Sequence, residues 1–172
     1  DINPNNFFKI VYSTVEVNFN DHNISTVTSK DIDSVKNPRE KSNNLSSEIP
    51  QLLIDIKSLD DSDKSSWLDK NNTGGPLPPL PVHIGNRLKR FIDAFHKIYD
   101  GDKIFYGIAN KDGAKKILFE DKNGLELNLN DLSTGEKQII YRIGYILKEL
   151  ENIRGGIILI DEPEISLHPK WQ

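Results

Sequence analysis

The opening stretch FFKIVYSTVEVNF (7–19) mixes β-branched and aromatic residues with partial alternation. Asn20-Asp21-His22-Asn23 follows as a turn signal, then ISTVT (24–28), which together predict an antiparallel hairpin. From Ser29 to Ser47 the chain is rich in Ser, Asn, Asp and Lys, the pattern of a polar surface loop. EIPQLLIDIKSL (48–59) reads as a short helix, DDSD (60–63) as a break, and Trp67 and Leu68 as packing residues beyond it. NRLKRFIDAFHKIYD (86–100) is the clearest amphipathic helix, with Leu88, Phe91, Ile92, Phe95, Ile98 and Tyr99 at helical spacing. KIFYGIA (103–109), KKILFED (115–121) and LELNLND (125–131) read as short strands, with turns at Lys111-Asp112-Gly113 and Asn123-Gly124.

NNTGGPLPPLP (71–81) is incompatible with a helix or a central strand. Its PLPPLP core has the form of a polyproline ligand for an SH3-like domain, but a stiff connector inside one fold is the simpler reading and is preferred. Arg87, Lys89, Arg90 and Lys97 occupy much of the polar side of the 86–100 helix. Such residues more often form a solvated face than a nucleic-acid contact.

Two stretches carry candidate chemistry. In DLSTGEKQIIYRIGYILKELE (131–151), Ser133 and Glu136 have capping-box spacing. Ile139, Ile140, Ile143, Ile146, Leu147 and Leu150 then form an apolar stripe, so a helix is expected from about Thr134. Gly135 is unfavourable there as a helix former but permits close backbone approach where exposed N–H groups favour an anion. A serine hydroxyl, a bare backbone and a positive helix end form a candidate phosphate contact. In GIILIDE (156–162), an apolar run delivers two carboxylates at its end. That is the form of a buried parallel strand in an open α/β sheet, whose C-terminal edge is where ligands bind. Asp161 is the candidate holder of Mg²⁺ through water, and Glu162 the candidate to orient or deprotonate an attacking water.

LSTGEKQ resembles the signature motif of ABC-type ATPases, and IILIDEPEISLHP resembles their Walker B strand running into the D-loop. The EKQ ending and the SLHP turn resemble the soluble RecF, SMC and OLD-like group more than transporters. That group includes ATPases of anti-phage systems such as Septu and certain retron-associated ATPases; EIPQLLIDIKSLDDSD adds a weaker likeness to its helical region. The resemblance is carried by residues 131–171 and implies an α/β fold, part of a P-loop NTPase head of ABC-ATPase type.

In such heads two copies sandwich two ATP molecules. The resemblance therefore implies that Ser133 and Gly135, with Lys137 nearby, touch ATP held by a second head, in a homodimer or higher oligomer. It implies Asp161 at Mg²⁺, Glu162 at the hydrolytic water, and Ser166, Leu167 and His168 in a D-loop at the dimer interface. Thr134 and Glu136 depart from the commonest signature in ways usual for the soluble branch. The pattern G-x-x-x-x-G-K-[ST] does not occur in the sequence, and is expected N-terminal to Asp1 in such heads.

The expected organisation is antiparallel-lobe strands, a polar loop and a short helix over 1–70, a Pro/Gly-rich connector over 71–85, a helical lobe with short strands over 86–130, and the signature helix, Walker B strand and D-loop start over 131–172. This piece alone is expected to be inactive as a Mg²⁺-dependent ATPase. The implied partner is a nuclease effector in anti-phage defence. The alternative is an SMC/RecF-like DNA clamp with nucleic acid as partner, against which the absence of sustained heptads counts.

Composition narrows the classes further. With no cysteine, disulfides, thiolate catalysis and Cys-based zinc sites are excluded. The four histidines lack metal-ligand spacing, and a net charge of −4 gives no global pull toward nucleic acid or anionic membrane. No apolar run approaches the roughly 18 residues of a membrane span, and a cytoplasmic location is expected. The absence of methionine points to a piece of a longer chain.

Overall fold

The computed structural model describes residues 10–13, 24–28, 45–72, 74–148 and 157–160. They form β1 (Ile10–Ser13), α1 (Leu45–Asn71), α2 (Lys89–Tyr99), β2 (Lys103–Lys111), β3 (Ala114–Asp121), β4 (Glu126–Asn128), a single 3₁₀ turn (Leu129–Asp131), α3 (Thr134–Lys148) and β5 (Ile157–Ile160). They divide into two compact units. The first contains 10–13, 45–49, 132–148 and 157–160, and the second 24–28, 50–72 and 74–131.

In the first unit β1 and β5 pair in parallel, Ile10 opposite Ile157 and Ser13 opposite Ile160. The hairpin expected over 7–28 is therefore not the pairing β1 makes: its partner lies near the other end of the chain. Ile24 instead bridges Lys115 of β3 within the second unit. The parallel strand expected from GIILIDE is present, but its side chains are not buried. Ile157, Ile158, Leu159 and Ile160 are 40–48% exposed, because a two-stranded ribbon leaves both faces of β5 open among the described residues.

α3 starts at Thr134, where the capping pattern puts it. Ile139, Ile140 and Tyr141 are buried, as are Leu45 and Ile49 at the start of α1. These two helices approach closely through Gly144, where a Cβ would stand 2.5 Å from Ile49 Cγ2.

The second unit is built on the antiparallel sheet β2-β3-β4. Lys111 pairs with Ala114 around Asp112 and Gly113, whose φ values of 54° and 76° suit the two-residue turn that matches strand twist. Asp121 organises the β3–β4 turn by accepting from the Asn123 and Leu125 amides, both at 2.8 Å. Phe91, Phe95 and Tyr99 of α2 are fully buried, the packing face its periodicity predicts. Phe105 and Phe119 continue that core, with ring centroids 5.5 Å apart at 84°. Phe95 lies 6.0 Å from Phe105, and Tyr99 lies 6.3 Å from Phe119. Between Phe105 and Gly107 the β2–β3 register shifts, leaving Tyr106 as the extra residue of a bulge and 64% exposed.

The helix expected over 48–59 is longer. α1 runs 27 residues without interruption, so DDSD is no break and Trp67 and Leu68 belong to the same helix. The acids are satisfied without leaving the helix. Asp61 pairs with Lys57 one turn earlier, while Asp60 and Asp63 both bind Arg87. Asp60, 3% exposed, also accepts the Arg87 and Leu88 amides at 3.1 and 3.0 Å. It thereby satisfies donors just ahead of α2 that the helix itself cannot. Asp55, fully buried, holds the 24–28 segment by accepting the Thr28 amide at 2.8 Å, the Thr28 hydroxyl, and Gln51 Nε2 at 2.7 Å.

Candidate functional site

The candidate site is the N-terminus of α3. Leu132 is buried and anchors the approach, while Ser133 and Thr134 are exposed. The Ser133 amide donates to Glu136 Oε2 at 2.8 Å, and the Glu136 amide returns a longer bond to Ser133 Oγ at 3.4 Å. The box expected from sequence is thus closed in both directions. The Ser133 hydroxyl also donates to Glu136 Oε2, at 2.7 Å. Glu136 is only 8% exposed, so its carboxylate is fixed by these bonds rather than free in solvent. The Lys137 amide bonds to the Ser133 carbonyl at 3.0 Å, the first helical bond of α3. Helix geometry then leaves the Thr134 and Gly135 amides as first-turn donors with no intrahelical acceptor.

This arrangement fits an anion. Two backbone donors, an exposed hydroxyl that can turn from Glu136, and half-exposed Lys137 one turn along provide partial positive charge and a full cation. The structure places Ser133 just ahead of α3 and Gly135 and Lys137 in its first turn, with Ser133 exposed, Lys137 half-exposed and Gly135 buried. Asp161, Glu162, Ser166, Leu167 and His168 lie outside the described residues. β5 ends at Ile160, opposite Ser13, immediately before Asp161 in the chain. No cluster of three or more candidate metal ligands occurs among the described residues.

Two further residues of α3 escaped the reading of sequence. Gln138 and Arg142 stand four apart, flanking the buried Ile139, Ile140 and Tyr141, and are 4% and 6% exposed. Gln138 Oε1 has no hydrogen-bond partner among the described residues. Their i, i+4 spacing beside an apolar stripe was the available signal, but polar residues at that spacing ordinarily mark a solvated face.

The basic side of the 86–100 segment looks different in place. Arg87 is engaged by Asp60 and Asp63, and Lys89 is paired with Asp93 at 2.7 Å. No described helix is long and apolar enough to cross a membrane.

Comparison with known proteins gives two consistent results. Over 60 residues the chain is 45% identical to the Retron Vc95 probable ATPase of Vibrio cholerae serotype O1 biovar El Tor, covering 30% of this chain and 12% of that protein. Over 64 residues it is 39% identical to the Retron Ec83 probable ATPase of Escherichia coli, covering 32% and 12%. The matched region is thus about an eighth of each relative's length. No solved structure matches. Residues 2–172 match the family model described as "AAA domain, putative AbiEii toxin, Type IV TA system", and the chain belongs to that family.

Proposed function

We propose that this chain is the signature and Walker B part of an ABC-type ATPase head that closes with a second head around ATP to control a nuclease effector in anti-phage defence. The observation supporting this most directly is the first turn of α3: a closed capping box with Ser133 and Thr134 exposed and Lys137 half-exposed beside them, Gly135 itself being buried. The γ-phosphate of ATP held by the other head is the anion the motif order suggests. On engagement the Ser133 hydroxyl turns its proton from Glu136 to phosphate, while Glu136 retains the Ser133 amide. Asp161 and Glu162, which follow β5 directly, take the Mg²⁺ and water roles. Asp161 would hold Mg²⁺, which would supply charge neutralisation, and the Glu162 carboxylate would accept a proton from the attacking water. The likeness to two proteins named retron probable ATPases supports both the ATPase and the defence setting.

The clamp reading receives less support, because Arg87 and Lys89 are already spent on carboxylates. The test is Ser133→Arg in the complete protein, with ATP-dependent association followed by sedimentation velocity. The expected result is normal ATP binding by the altered head and loss of ATP-driven association. Association unchanged by the substitution removes α3 from the interface.

A further inference from the structure

We draw no further inference here: the strongest candidate, the buried Gln138 carboxamide on α3, whose Oε1 meets no donor among the described residues, belongs to the helix of the site already described, and nothing in the structure shows which donor would reach it.

Discussion

Replacing Asp60 with alanine separates two ways in which one carboxylate can stabilise the second unit. Asp60 is almost fully buried, accepts the Leu88 amide at 3.0 Å and the Arg87 amide at 3.1 Å, and meets the Arg87 guanidinium at 3.2 Å. The Leu88 bond is buried, so removing its acceptor leaves an unsatisfied donor worth about 1–3 kcal/mol. The half-exposed Arg87 amide adds about 0.5–1.5 kcal/mol, giving about 2–4 kcal/mol for Asp60→Ala. Arg87→Ala should cost much less. Its side chain is 33% exposed and screened by water, and Asp60 keeps two backbone donors after its loss. A loss of about 1 kcal/mol is expected. Asp60→Asn, whose amide oxygen still accepts, should fall between the two. Urea unfolding by circular dichroism gives the differences, and hydrogen exchange at the Leu88 amide gives the local one. At 2 kcal/mol, exchange there accelerates about thirtyfold. Equal losses for Asp60→Ala and Arg87→Ala would refute the reasoning and assign the stabilisation to the ion pair.

Gly144→Ala places a methyl 2.5 Å from Ile49 Cγ2, and the fully buried, β-branched Ile49 has little room to turn. Overpacking of about 1–3 kcal/mol, less the gain of about 1 kcal/mol in helix propensity, predicts a small net destabilisation in urea unfolding. In the complete protein, Glu162→Gln should keep ATP binding, read by fluorescent-nucleotide titration, while lowering steady-state turnover by orders of magnitude; unchanged turnover would remove Glu162 from its role. The hydrogen bond from the Leu125 amide, foremost, holds the Asp121 carboxyl below its ordinary value of 3.8. A depressed folded pKa gives stability that is present above the unfolded pKa and lost as pH falls through the folded one. The β3–β4 turn should therefore stay ordered to pH values below 3.8 before loosening, and Asp121→Asn should abolish that pH response of the Leu125 amide resonance.

What the sequence made legible tracks how local the stabilising interactions are. The start of α3 is written in four consecutive residues, because Ser133 and Glu136 satisfy each other within one turn. The β2–β3 turn is equally readable from Asp112-Gly113, whose positive φ values belong to that dipeptide. α1 was misread at DDSD because the partner that accommodates Asp60 and Asp63 is Arg87, remote in sequence and chargeable to either element. β1 was given the wrong neighbour for the same reason: its pairing with β5 joins opposite ends of the chain, and no turn residue announces it. At the candidate site the exposed Ser133 and half-exposed Lys137 follow from the cap and helix spacing, whereas the burial of Gly135, Gln138 and Arg142 depends on neighbours that periodicity does not report.

The bulge at Tyr106 also bears on edge-to-edge pairing. Among the described residues β2 is the outer strand of its sheet, nine residues long, and Ile104 beside the bulge is 44% exposed. A straight strand of that length and character is a template for another chain's backbone. The extra residue breaks the even alternation of donors and acceptors at mid-strand, and Lys103 and Lys111 put a charge at each end. Deleting Tyr106 would join the Phe105–Phe119 and Gly107–Leu118 pairs into one regular ladder and restore a continuous edge. A variant with one residue fewer would thus trade an interrupted edge for a pairing-competent one.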